Sequence, residues 1–304
     1  MTAPLASPAV AATAAGAKRR PARAIMLDRS LEALPLFRLS DSADDSAIVL
    51  THDDGRRWRV IPHAGDRLPG TFDQDVYIEL MRRYHDAGAP DNGVVVFTLH
   101  NFLRSIGRRV DGRTYEQLRS ALTRLQRTTL ESTGAWFDAT SGAPWHGTFT
   151  LLTAIKIDRR RAADADQLGL FPALPANEPG DARVTIAPQI RANIAAGHRC
   201  SIVPGHYLDL SSPVARRLYR VLAVIAAEGT ATWTLPLSTL AEQLPLTQRY
   251  PSHLQRVLQP ANEMLLAAGL VRRATIDPDG RQWTTTYDLA LSGPAPVVLR
   301  EPSP

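Results

Sequence analysis

Phe97-Thr98-Leu99-His100-Asn101-Phe102-Leu103-Arg104-Ser105-Ile106, a basic turn, and then Gly112-Arg113-Thr114-Tyr115-Glu116-Gln117-Leu118 form the stretch on which the fold turns. A β-rich run ends at Leu99, and Leu99, Phe102, Leu103 and Ile106 then recur at the spacing of one face of a short helix. A second helix begins near Arg113, followed by an apolar strand pair, Thr129 to Phe137 and Thr148 to Ile157. The same order returns later in the chain. Trp233-Thr234-Leu235 leads into a short helix on Leu237, Leu240 and Leu244, and a second helix begins near Tyr250. Leu270 to Ile276 and Gln282 to Leu289 close this copy as strands joined by the turn Asp277-Pro278-Asp279-Gly280. Tyr115 stands 17 residues after Thr98, and Tyr250 stands 16 after Thr234. Helix, turn, helix and β-hairpin in that order is the winged form of the helix-turn-helix, whose second helix fits the DNA major groove. The expected fold class is α+β: two tandem winged-helix domains, with a small N-terminal β-sheet on the first.

Around these copies the sequence divides into a disordered basic arm (1–27), an N-terminal winged-helix domain with preceding strands (28–159), a linker rich in small residues, prolines and acids (160–183), a C-terminal winged-helix domain (184–291) and a disordered tail (292–304). Leu34 to Leu39, Ala47 to Thr51 and Arg57 to Ile61 read as strands, the last two joined by Asp53-Asp54-Gly55. Thr71 and Gln74 have the spacing of a capping box ahead of the stripe Val76, Tyr77, Leu80, Met81 and Tyr84. The C-terminal domain opens on a short helix over Pro188 to Ala196. Ser212-Pro213 starts a longer helix that carries Leu218, Val221, Leu222 and Ile225 on one face and ends at Gly229. Pro260 removes a backbone donor, so a kink or restart is expected in the last helix.

Composition narrows the partner. The 304 residues suffice for two cores, and the net charge of +5 favours a polyanion. Residues 101–130 concentrate that charge: Arg104, Arg108, Arg109, Arg113, Arg119, Arg124 and Arg127 stand against Asp111 and Glu116 alone. Only Lys18 and Lys156 are lysines, and neither follows a glycine, so no P-loop exists. The single Cys200 excludes intrachain disulfides and cysteine-rich zinc sites and suits a reducing cytoplasm. Eight histidines without a His-x-His pair argue against a DNA-cutting metal centre. No apolar run is long enough to span a membrane, and the N-terminal alanines precede Lys18-Arg19-Arg20, the reverse of a secretory signal.

On the second helix of the first copy, Leu118, Leu122 and Leu125 mark the buried stripe, which leaves Arg113, Thr114, Gln117, Ser120 and Arg124 on other faces. In the second copy Leu254 and Leu258 are core, and Gln248, Arg249, Ser252, His253 and Arg256 remain available. Arginine and glutamine pair in bidentate fashion with guanine and adenine edges, while serine and threonine hold phosphates. Arg109 and Arg127 extend the first set, and Arg272, Arg273 and Arg281 of the second hairpin are placed to track phosphates or enter the minor groove.

Leu68-Pro69-Gly70-Thr71-Phe72-Asp73-Gln74-Asp75-Val76-Tyr77, Gly112 through Leu125 and Tyr250 to Gly269 resemble the plasmid replication initiator protein A family, relatives of TrfA-like initiators. The resemblance covers residues 30–290 and is most specific around Phe72-Asp73-Gln74-Asp75. It implies a non-catalytic, cofactor-free initiator of a plasmid or secondary replicon. Such a protein binds repeated double-stranded sites (iterons) at the origin, opens the duplex, recruits host replication proteins (sliding clamp, helicase or initiator), and in many members represses its own promoter. Self-association as a dimer belongs to the same expectation. Gln167-Leu168-Gly169-Leu170-Phe171 is similar to the bacterial sliding-clamp pentapeptide, with Gln167, Leu168, Leu170 and Phe171 as its contacts. Two readings compete: a transcriptional repressor with the same DNA chemistry, and a metal-dependent primase or nuclease using Asp73 and Asp75.

Overall fold

The computed structural model describes residues 23–40, 46–159, 179–280 and 282–290. The clamp-like segment with Gln167, Leu168, Leu170 and Phe171, Arg281, the arm up to residue 22 and the tail from 291 lie outside the described residues.

The first elements among the described residues are β1 (Ile25–Asp28) and α1 (Arg29–Ala33), the latter capped by the Asp28 carboxylate, which accepts from the Ser30 amide at 2.9 Å. β2 (Ile48–Thr51), β3 (Arg57–Ile61), α2 (Thr71–Asp86), β4 (Val94–Thr98), α3 (Leu99–Ser105), α4 (Gly112–Arg127), β5 (Thr129–Asp138), β6 (Ala143–Phe149), β7 (Leu152–Arg159) and β8 (Pro179–Ile186) follow. α5 (Pro188–Ala195), β9 (Arg199–Ile202) and α6 (Pro204–Asp209) lead to α7 (Pro213–Ala227), β10 (Thr232–Pro236), α8 (Leu237–Gln243), α9 (Pro251–Ala267), β11 (Val271–Asp279) and β12 (Gln282–Leu289). Every strand pairing among the described residues is antiparallel, giving sheets β2-β3-β5-β6, β4-β8-β7, β10-β12-β11 and β1-β9. The architecture mixes helices with antiparallel sheets, as expected, and one local order occurs twice. α3 and α8 each have seven residues, and each lies between a strand and a longer helix.

The strand pair that completes the first copy differs from the expected one. β5 pairs with β3 and with β6, which takes in only Thr148 and Phe149 of the expected 148–157 strand, whereas the later part of that segment, from Leu152, is β7 and pairs with β8. In both copies the last strand then lies in the middle of a three-stranded sheet, between the strand that precedes the short helix and its own hairpin partner. Alternating side chains state which face of a strand is apolar but not which strand lies beside it. β5 and β6 form a separate hairpin because Trp136 and Phe149 bury against Trp58 of β3, with ring centroids at 5.3 Å (Trp136 to Phe149) and 6.3 Å (Trp58 to Phe149). It follows that residues 179–183, expected in the linker, are strand, and that residues 160–178 connect two paired strands of one sheet.

Four further corrections are local. Ile25 to Leu27, expected in the disordered arm, are strand, because β1 finds a partner in β9 with Ile25 opposite Ile202. Leu34 to Leu39 do not form a strand. That segment runs irregularly after α1, with Leu36 and Phe37 fully buried and the Pro35 carbonyl accepting from the Trp58 indole at 2.8 Å. The α2 cap lies one residue earlier than expected: Gly70 is the N-cap, and Asp73 accepts from its amide at 2.8 Å, so Thr71 is already helical and Gln74 is released to the interior. α9 continues through Pro260 as one 17-residue helix without a restart, since the missing backbone bond is outweighed by burial of Leu254, Leu258, Ala261 and Leu265 along one face. α7 starts and stops as expected, with Ser212 accepting from the Ala215 amide and Gly229 at φ 79° just past the end.

α7 joins the two copies through a seam of buried charge. Arg217 and Arg220 flank Glu32 of α1, with contacts of 3.5 and 2.6 Å, and all three side chains are removed from solvent. Arg217 also donates to the carbonyls of Glu32 and Leu34 at 2.9 and 2.7 Å, and Arg220 donates to the Gln74 side chain at 3.0 Å. Arg216 reaches both oxygens of Asp75 at 2.7 Å, and the Tyr207 hydroxyl donates to Asp75 at 2.9 Å. The acid and amide groups of Asp73-Gln74-Asp75 are therefore structural ties of α2.

Candidate nucleic-acid interface

α4 opens at Asp111, whose carboxylate accepts from the Thr114 amide at 2.9 Å, while the Thr114 hydroxyl accepts from the Asp111 amide at 3.0 Å and donates to the Arg109 carbonyl at 2.8 Å. Leu118, Ala121, Leu122 and Leu125 bury one side of the helix, as the stripe predicts. Arg113, Gln117 and Ser120 are exposed and follow one another at three- and four-residue steps, so they share a single outward face. That face presents a guanidinium, an amide and a hydroxyl, the groups that read base edges and hold phosphates. Arg109 is 90% exposed, and Arg127 is exposed with Asp66 3.8 Å away.

Two residues of the expected set are occupied. The Thr114 hydroxyl is committed to the cap. Arg124 turns back to α2 and binds Asp73 with both ends of its guanidinium, at 3.0 and 3.2 Å, and only 17% of its side chain remains exposed. Burial pushes the Asp73 carboxyl up, and Arg124 opposes that shift as the nearest positive charge. Arg124→Ala is expected to lower unfolding stability by about 1–3 kcal/mol in urea titration, the range for stranding a buried acceptor, while leaving discrimination between duplexes unchanged. Loss of discrimination without loss of stability would return Arg124 to the reading face.

In the second copy, Leu254 and Leu258 are buried and Arg249, Ser252, His253 and Arg256 are exposed, with Gln248 half-buried in the turn before α9. Tyr250 is the N-cap residue of α9, 70% exposed and edge-on to His253 at 5.7 Å, whereas Tyr115 is the fourth residue of α4, partly buried, with its hydroxyl 3.5 Å from His100. The two tyrosines mark the repeat in the sequence but do not occupy equivalent places. Tyr250 is an exposed ring beside a candidate reading face, and its place at the head of a helix after a polar turn is the signal that sequence offers for it. Arg272 and Arg273 are exposed on β11, and the register shift between Val271 and Arg273 makes Arg272 the extra residue of a bulge.

Asp73 and Asp75 are not a free pair of metal ligands: each faces a different arginine, Arg124 and Arg216. Among the described residues no group of three or more His, Cys, Asp or Glu side chains is placed to hold a metal ion, and no helix is long and apolar enough to cross a membrane.

The fold is similar to that of solved proteins. The structure is similar to that of domains 2 and 3 of RctB, with a TM-score of 0.55 at 11% identity over 84% of this chain and 95% of that one. It is also similar to the Pi initiator protein crystallised in complex with iteron DNA, with a TM-score of 0.50 at 12% identity over 89% and 98% of the two chains. At such identities the likeness is one of fold. No curated protein sequence matches the chain. The family model described as Replication initiator protein A matches residues 27–259, from β1 into α9 and across the whole charged seam. By that match the chain belongs to the replication initiator protein A family.

Proposed function

We propose that the protein is the replication initiator of a plasmid or secondary replicon. It binds repeated double-stranded sites at the origin with two winged helices, α3–α4 with the β7–β8 wing and α8–α9 with the β11–β12 wing, and it acts without catalysis by opening the duplex and recruiting host replication proteins. The observation that carries this reading is the recurrence of strand, short helix and long helix, closed in each copy by a three-stranded sheet of the same strand order, with β5 and β6 inserted in the first, and with each copy exposing arginine and polar side chains on its long helix. Family membership and the shared fold of an initiator solved on iteron DNA support it. The pairing of Asp73 and Asp75 with arginines supports the non-catalytic role.

The test is genetic. A plasmid stripped of its origin is expected to replicate when given this gene with its flanking DNA, and purified protein is expected to protect repeats in that DNA from cleavage. Protection without rescue would favour a transcriptional repressor. Metal-dependent synthesis or cutting of DNA by the protein would favour an enzyme.

A further inference from the structure

Beside α4 lies a cleft of about 680 Å³ that no reading of local sequence predicts. One wall is the outward face of α4 with Arg113, Gln117 and Ser120. The other is built from the segment around Arg38, from Arg67 and from the first turn of α2. Five arginines line it (Arg38, Arg67, Arg108, Arg113 and Arg124) against two acids, Asp73 and Glu116. The acids are already engaged, Asp73 by Arg124 and Glu116 by Arg119, so the cleft carries an excess of positive charge. Arg67 and Arg113 are exposed, and the half-exposed Arg108 lies over the Phe72 ring at 5.2 Å, with Asp75 at 3.5 Å already held more closely by Arg216.

We infer that this cleft holds the phosphodiester backbone of one DNA strand, with Arg67 and Arg108 as phosphate ligands outside the reading helix. The inference rests on the DNA-binding role proposed for α4. A helix with its side chains is roughly 10–12 Å across and the major groove is about 12 Å wide, so a helix seated there has a sugar-phosphate strand running along each flank. On the flank facing α2, that strand meets the arginine wall. Guanidinium groups bind phosphate oxygens through charge-assisted, often bidentate hydrogen bonds, and such bonds fix register without reading sequence.

The experiment measures binding of two fluorescein-labelled duplexes of equal length, one carrying the repeats that adjoin the gene and one scrambled, across a salt series. Arg67→Gln with Arg108→Gln is expected to weaken binding to both duplexes by the same factor, at least about 10-fold. The magnitude of the log-log salt slope should fall by roughly 0.9 for each phosphate that is no longer neutralised. Thr71→Glu supplies a control for folding, because an acid in the first turn of α2 favours the helix dipole while placing negative charge in the cleft. It should melt no lower than the wild type and still bind both duplexes more weakly. Wild-type affinity and slope in the double variant, with repeat-specific binding by the wild type intact, would overturn the cleft and leave the initiator reading standing. Equal wild-type affinity for the two duplexes, with both variants still weakened, would sustain the cleft and remove the initiator reading. A wild type that binds neither duplex would overturn both.

Discussion

Glu32→Ala is expected to lower the unfolding free energy by about 3–5 kcal/mol, the range for removing one partner of a buried ion pair. Glu32 is fully buried between Arg217 and Arg220, and its carboxylate faces both guanidinium groups. Burial and the neighbouring Arg220 already push Arg217 down to about 9, and Glu32 is the acid that offsets this. Without it two positive charges of α7 share an interior that water cannot reach, and the ion pairs that tie α7 to α1 are lost while only the bonds from Arg217 to the Glu32 and Leu34 carbonyls remain. Glu32→Gln should cost nearly as much, because it keeps the volume and removes the charge. Urea denaturation followed by circular dichroism measures both variants. A destabilisation below about 1 kcal/mol in the glutamine variant would mean that packing, not charge, holds α7 in place.

Arg113→Ala and Arg249→Ala should each cost about 1–3 kcal/mol of binding to the origin repeats if each guanidinium is bidentate to a guanine. Arg113 lies on α4 and Arg249 in the turn just before α9, in different copies, so their effects should nearly add, and the double variant is expected to bind more weakly by roughly 2–6 kcal/mol. Affinity for a scrambled duplex should change far less, since phosphate contacts carry it. Fluorescence anisotropy on both duplexes, with a thermal melt as the control for folding, gives the comparison. Repeat-specific binding at wild-type strength in the folded double variant would remove α4 and α9 as readers.

Side-chain spacing and cap chemistry make a large part of the molecule legible in its sequence: the buried stripes of α4 and α9, the Ser212-Pro213 start and Gly229 stop of α7, and the β11–β12 hairpin. The exposed faces with Arg113, Gln117 and Ser120 and with Ser252, His253 and Arg256 follow from those stripes. Arg124 does not. It lies off the stripe and so reads as part of the DNA face, yet its partner Asp73 stands 51 residues earlier in the chain. Arg67 and Arg38 escape a sequence reading for the matching reason: they precede α4 and join it only across the cleft.

The sequence by itself determined the longer helices, the start and stop of α7, the apolar faces and the recurrence of a short helix followed by a long one, because each of these depends on residues within a few positions of one another. Tertiary structure alone decided that β7 joins β8 and that β5 joins β3, since alternation is blind to the neighbouring strand. It also decided which charges go inside. No local pattern marks Asp73, Asp75, Glu32, Arg217 and Arg220 for the interior, and burial becomes tolerable only where an opposite charge arrives from another element, with Glu32 and Arg220 meeting across 188 residues of chain.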